Sequence, residues 1–383
     1  MVQTRSGARR ARTESFGYQT PFLVSREFEK YERKFMIALQ SVDFSPLHMA
    51  MKLVGQCCSG EVLVLYFAVL YWVVDQRYVF FFRFSLFSNV VPTHERHDIS
   101  PRACLDAIWL VPLTEIFCGL LKWHFKEPRP GWVDKAVIIR ANSHEYSFPS
   151  SHAGIAVGLA TFFTMGDLDE FGNEYGHSLQ YPRLLAFAVC LSRVYEGAHH
   201  VHDVIAGTAF GIAMGCGLIA LQREIKIRFA DLDDLTCICC GLVSCIALIL
   251  FIQNRYEAVS KSPVPPTWNV HAKRSKSFKG SLNPHAIPYM SYVGMSGVLI
   301  GLSIGEVLCH HTPLPVVKTH SEGLARAFVG LTCLLGMFFG VRYVEKKNKP
   351  GSLLALILRG IRYGQVPPLI VLVAPKVFAV FGL

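Results

Sequence analysis

Apolar runs approaching the thickness of a lipid bilayer recur from residue 61 to the end of this chain, and no other feature constrains its fold so strongly. A helix needs about 20 apolar residues to cross the hydrocarbon layer. The runs fall at roughly 61–74, 103–121, 149–166, 183–198, 201–221, 235–253, 288–309, 323–344 and 366–383, with a further stretch at 78–91 interrupted by Arg83. They predict an all-α polytopic membrane helical bundle of about 8–10 transmembrane helices. Composition agrees: 51% of the 383 residues are hydrophobic and 17% charged, with a mean hydropathy of +0.34, whereas soluble domains carry about 25% charged residues.

The polar residues set the organisation. Residues 1–20 read as a polar tail with Arg5, Arg9, Arg10 and Arg12, and no apolar stretch follows Met1, so a cleaved signal peptide is not expected. Residues 21–50 mix charge with Phe28, Tyr31 and Phe35, which suits an amphipathic segment lying on the membrane surface. The expected division is an N-terminal tail and interfacial segment, 1–55, followed by a transmembrane domain, 56–383, with a catalytic core at about 100–221. The net charge of +10 is concentrated outside the apolar runs, for example at Lys273, Arg274, Lys276 and Lys279, where it suits anionic headgroups. A nucleic-acid surface would interleave aromatics with base on a soluble module, and none is visible. The 12 cysteines include a group at Cys237, Cys239, Cys240 and Cys245 inside an apolar run, where cysteine acts as a small hydrophobe. Asp167, Asp169, Glu170 and Glu174 read as an exposed acidic loop. Charge does not decide sidedness, because basic segments fall on both sides.

Three polar clusters interrupt the apolar background: Lys122 and Arg129-Pro130; Pro149-Ser150-Ser151-His152; and Ser192-Arg193, His199 and Asp203. Together they supply what phosphoryl transfer requires, which is positioning and electrostatic stabilisation of spreading negative charge. Lys122, Arg129 and Arg193 give three cations, two of them capable of bidentate contacts to phosphate. Pro149 before an apolar run predicts a helix start, whose amides at Ser150, Ser151 and His152 form an anion site, with two hydroxyls added. His199 and Asp203, four apart, share a helix face. The carboxylate would fix the tautomer and leave Nε2 free to attack phosphorus, while His152 protonates the leaving oxygen. No metal or cofactor is demanded. His200 and His202 read as interfacial neighbours, and Glu115 as lining a wet cavity or orienting Lys122.

The ordered pattern K-x6-RP, PSxH and SR-x5-H-x3-D resembles the three-part signature of the type 2 phosphatidic acid phosphatase superfamily. The resemblance implies that Lys122, Arg129, Ser150 and Arg193 bind phosphate, that His152 is the acid, and that His199 is the nucleophile paired with Asp203. Ser151 stands where most of that superfamily has glycine, and PSSH is similar to the PSTH motif of sphingosine-1-phosphate phosphatases. The strings Asn142–Ala153 and Cys190–His199, and Asp203–Gly207, resemble the same branch. This implies a lipid phosphate substrate, phosphohistidine chemistry, and an endoplasmic reticulum membrane with the site facing the lumen. Phosphatidate, a polyprenyl diphosphate or glucose 6-phosphate stand as alternative substrates. A silent lipid-binding or transport protein stands as the non-enzymatic alternative.

Overall fold

The computed structural model describes residues 24–42, 44–73, 101–166, 180–228, 234–275, 278–311, 317, 319–349 and 351–383. Among these, helices account for all regular structure. In chain order they are α1 (Arg26–Ser41), α2 (Ser45–Cys57), α3 (Gly60–Val73), α4 (Pro101–Phe125), α5 (Pro130–Val133), α6 (Ser151–Gly166), α7 (Gln180–Tyr195), α8 (Val201–Arg228), α9 (Asp234–Ser260), α10 (Pro266–Ala272), α11 (Ala286–His311), α12 (His320–Lys346), α13 (Leu353–Gly364), α14 (Val366–Pro368) and α15 (Ala374–Val380). The polar tail at 1–20, the stretch at 78–91 and the acidic loop at 167–174 lie outside the described residues.

Among the described residues, six helical segments are long and apolar enough to cross a membrane, and the pair α2–α3, bent by 69°, makes a seventh if counted as one span. The shorter apolar α6 fills one more of the expected positions, and the 16-residue α7 covers the stretch expected at 183–198. Side chains such as Phe187, Val243 and Phe328 are 67–75% exposed on α7, α9 and α12. Apolar surface of that extent is out of place in water and suits lipid as solvent.

The last span is longer than hydropathy suggests, running over Leu353–Val380 rather than starting at 366. Arg359 and Arg362 mask its first turns in the sequence. In the fold, Arg362 Nη1 lies 2.6 Å from Glu345 Oε2 of α12, and Arg359 Nη1 lies 3.6 Å from Oε1. Pairing across helices is how charge is accommodated at membrane depth.

The centre of the bundle is the packing of α6 on α8. Gly154 and Gly158 of α6 meet Gly207 and Gly211 of α8 so closely that a Cβ on Gly207 would lie 2.4 Å from the Ser150 carbonyl oxygen. The same atom on Gly211 would lie 2.4 Å from that of Gly154. Small residues four apart permit this backbone approach, whose van der Waals contact drives helix association in lipid. The C-terminal half is locked to α4 through Trp123. Its Nε1 donates to the Pro284 carbonyl at 3.2 Å, and its ring meets Tyr292 of α11 edge-on at 5.0 Å.

Helix α1 is more than a surface segment. Ser25 caps it, its Oγ accepting from Phe28 N at 3.3 Å. Glu32, Met36 and Gln40, spaced by four, form one buried face. Gln40 donates to the carbonyls of Ile138 (2.9 Å) and Tyr195 (3.0 Å) and accepts from Ile138 N. Arg33 pairs with Asp134. An adjoining stripe exposes Phe28, Tyr31 and Phe35. The helix therefore keeps an apolar outer face while its inner face grips the loops around the polar clusters.

Candidate active site

The three clusters converge where α4, the 134–150 connection and the starts of α6 and α8 meet. Lys122, in the last turn of α4, is 2% exposed, and its Nζ lies 2.5 Å from Glu145 Oε2 and 3.3 Å from Ser151 Oγ. Arg129 is fastened by backbone acceptors: its Nε donates to the Glu145 carbonyl and its Nη1 to the Ala198 carbonyl, both at 2.7 Å. Nη1 also lies 3.4 Å from His199 Nε2. Arg193 ends α7 buried and paired with Glu196. Its guanidinium faces Gly55 of α2, where a Cβ would come within 2.6 Å of Nη2. His152, in the first turn of α6, lies within electrostatic reach of Arg193, His199, Lys122 and Arg129.

The starts of α6 and α8 are interlocked. Ser150 N donates to the Asp203 carbonyl at 3.0 Å, and Ser150 Oγ caps α6 by accepting from Ala153 N at 3.5 Å. The helix begins at Ser151, two residues after Pro149, so the Ser150 amide is already committed. First-turn amides lack intrahelical acceptors, which leaves those of Ser151 and His152 available to an anion.

His199 precedes α8 rather than lying on it, since the helix starts at Val201. Its Nδ1 nonetheless lies 3.5 Å from Asp203 Oδ2. That oxygen also accepts the hydroxyl of Ser147 and the His200 amide at 2.7 Å. The last bond is one half of a capping box, with a first-turn acid reaching back to the amide before the helix. Burial, then the nearby Arg129, push His199 down to about 3 against the pull of Asp203. The imidazole is therefore neutral near pH 7. With the carboxylate at Nδ1, the lone pair sits on Nε2 and faces the cations.

His200 and His202 turn inward. Helical angles do not apply across the helix start, and both rings stack at 5.2 Å beneath α1. His200 Nδ1 lies 2.9 Å from Glu32 Oε1. His202 Nδ1 lies 2.9 Å from Glu32 Oε2, its Nε2 lies 2.8 Å from Glu127 Oε1, and Nε2 is 3.4 Å from Asp203 Oδ1. Although burial opposes it, hydrogen bonds to His200 and His202 hold Glu32 down to about 2. Burial pulls His200 down, but its bond to Glu32 outweighs this and raises it. Among the described residues, Glu32, His200 and His202, and likewise Glu127, His202 and Asp203, bring donor atoms as close as a metal site requires. Both groups share His202, whose two nitrogens each meet a carboxylate, and the contacts fit an ion-paired cluster around a doubly protonated ring.

Sequence reasoning missed Ser147, Glu145, Glu32 and Glu127. Ser147 and Glu145 sit within the six residues before the Pro-Ser-Ser-His motif, where adjacency was the available signal. Glu32 lies 170 positions from His202 and carried none.

Helices long and apolar enough to cross a membrane and a buried imidazole beside Arg129 define an integral membrane protein with a cation-lined buried site. Residues 103–226 match the PAP2 superfamily model, a range that contains every residue from Lys122 to Asp203, so the chain carries a domain of that superfamily. It is 27% identical over 167 residues to sphingosine-1-phosphate phosphatase 2 of Mus musculus, covering 41% of this chain and 45% of the relative. It is 27% identical over 147 residues to the Homo sapiens protein of that name, covering 36% of each. It is 24% identical over 140 residues to probable lipid phosphate phosphatase beta of Arabidopsis thaliana, covering 31% of this chain and 62% of the relative. The chain thus spans less than half the length of the sphingosine-1-phosphate phosphatases it matches. No solved structure matches.

Proposed function

We propose that this chain is a metal-independent phosphoric monoester hydrolase acting on a membrane lipid phosphate, with a long-chain base phosphate such as sphingosine 1-phosphate as substrate. One observation carries the reading: a neutral His199, backed by Asp203 on Nδ1, presents Nε2 beside Arg129. Lys122, Arg129, Arg193 and the donors of Ser151 and His152 hold the phosphoryl oxygens, with Ser150 setting the helix end. His199 Nε2 attacks phosphorus as the bond to the alkoxy oxygen breaks, and His152 protonates that oxygen. Water then attacks the phosphohistidine, giving its proton to His152 and releasing phosphate and free His199.

The substrate class rests on the Ser151 variant of the second motif and on the matched relatives, three of which are named for sphingosine 1-phosphate. A single-chain lipid suits a site at the ends of membrane helices. Residence in the endoplasmic reticulum, with the site facing the lumen, follows from the resemblance to that branch. The test is phosphate release by detergent-solubilised protein in the presence of EDTA, with His199→Ala as blank. Phosphatidate, a polyprenyl diphosphate and glucose 6-phosphate complete the substrate panel. Strict metal dependence overturns the mechanism, and preference for the sugar phosphate overturns the lipid assignment. Lipid binding or transport that survives His199→Ala, with no turnover in wild type, overturns the enzyme.

A further inference from the structure

The site carries an anion where its substrate's anion belongs. Glu145 is fixed in the connection before α6: its amide donates to Ser143 Oγ at 3.1 Å, and its carbonyl accepts from Arg129 Nε at 2.7 Å. Its carboxylate lies 2.5 Å from Lys122 Nζ, and the side chain keeps 19% of its surface exposed against 2% for Lys122. Burial alone would raise its proton affinity, but Lys122 and then Arg129 hold it below the ordinary carboxylate range, so it stays ionised.

The other carboxylates around the site are differently engaged. Asp203 serves His199 and Ser147, Glu127 meets His202, Glu196 pairs with Arg193, and Glu115 faces Ser151 and Lys122 from within α4. Glu196 likewise sits on a cation placed to hold the phosphate, but Glu145 keeps 19% of its side chain exposed against 5% for Glu196, and its carboxylate lies directly on Lys122 Nζ. A phosphate dianion that docks on Lys122 must come close to this charge, and like charges repel strongly in a site shielded from water. A substrate that carries its own cation a few bonds from the phosphate cancels that repulsion. Long-chain base phosphates do so, with a primary ammonium on the carbon next to the phosphorylated one. Phosphatidate and simple alkyl phosphates do not.

We propose that Glu145 is a specificity-determining residue that receives the ammonium of an amino-alcohol phosphate. Lys122 passes to the phosphate as the substrate enters, and the Glu145 carboxylate exchanges the lysine for the substrate amine. An uncharged substrate leaves the carboxylate facing the phosphate, which is rejection by unmatched charge. This inference rests on the lipid phosphatase reading above.

The experiment compares sphingosine 1-phosphate with octadecyl phosphate, which matches its chain but lacks the amine, in mixed micelles. Wild type is expected to favour the amine substrate by about tenfold or more in kcat/KM, a ratio within reach of one charged contact. Glu145→Gln is expected to bring the ratio to within about threefold, and Glu145→Asp to keep an intermediate preference. A second arm uses wild type alone, so that a variant that fails to fold does not decide the matter. N-acetylation of sphingosine 1-phosphate removes the charge and is expected to cost about tenfold or more in kcat/KM. Equal hydrolysis of the acetylated and free-amine lipids, or an active Glu145→Gln protein with an unchanged ratio, overturns the role of Glu145 and leaves the phosphatase reading standing. Phosphate release from neither lipid by wild type overturns both.

Discussion

Ser147 donates its hydroxyl to the same Asp203 oxygen that faces His199 Nδ1, so one carboxylate oxygen ties the connection before α6 to the start of α8. Asp203→Asn keeps the shape but presents an amide where the imidazole needs an acceptor. The expected loss in kcat is about 10²- to 10⁴-fold, since a wrongly held tautomer disables a nucleophilic or basic histidine. Ser147→Ala leaves the carboxylate its amide donor from His200, so a milder loss of about tenfold in kcat is expected, with KM little changed. Steady-state kinetics on both variants check the order; a Ser147 effect confined to KM would place the hydroxyl on the substrate instead.

Much of this arrangement was legible before the fold was known. The three motifs named eight site residues, and the structure brings Lys122, Arg129, Ser151, His152, Arg193, His199 and Asp203 to one place, with Ser150 as the helix cap. Their convergence was open to sequence reasoning because membrane helices make ionisable residues conspicuous. The geometry within the clusters was less legible. His199 and Asp203 were expected to share a helix face, but they meet across a helix start, through a capping contact that spacing alone does not distinguish. The role of α1 was hidden for another reason. Its Glu32, Met36 and Gln40 face a partner more than 90 residues away, so one stripe read as lipid-facing and the other as solvated.

The docking of α1 has a kinetic consequence. Glu32 holds His200 and His202, which flank His199 and adjoin Asp203. Glu32→Ala leaves the two rings without that shared acceptor and frees the segment that carries His199. Because displacement of a catalytic group by about 1 Å can cost about 10²-fold, kcat is expected to fall about 10- to 100-fold with a smaller change in KM. Glu32→Asp should recover part of the loss. Kinetics equal to wild type would make α1 a passive cover.

The pH dependence of stability follows from two of the same groups. Glu32 moves from an ordinary 4.5 to about 2 on folding, so its contribution is complete above 4.5 and is lost as pH falls from there towards 2. His199 falls from 6.5 to about 3. Between those values the unfolded chain binds a proton that the folded one refuses, so stability again drops as pH falls. Melting temperatures in detergent should therefore decline with acid from about pH 6.5, a window set by His199. In His199→Ala the slope between 6.5 and 3 should flatten, and in Glu32→Gln the slope below 4.5 should flatten. Variants with unchanged slopes would show that other groups carry the effect.

Two glycines separate packing from chemistry. At Gly207 a new Cβ meets the Ser150 carbonyl, which is backbone and cannot step aside. Gly207→Val should therefore force α8 away from α6, costing about 1–3 kcal/mol as overpacking does, with activity lost together with thermal stability. At Gly55 the obstructing atoms are the far ends of Arg193 and Glu196, at 2.6 and 3.1 Å, and these can move. Gly55→Ala should accordingly fold with a melting temperature close to wild type while its guanidinium is pushed off the phosphate position. The expected result is a several-fold rise in KM and in the vanadate concentration needed for half-inhibition, since Arg193 is proposed to hold phosphoryl oxygens. If Gly55→Ala instead loses stability with KM intact, Arg193 is a buried packing residue paired to Glu196, and the cations that hold phosphate reduce to Lys122 and Arg129.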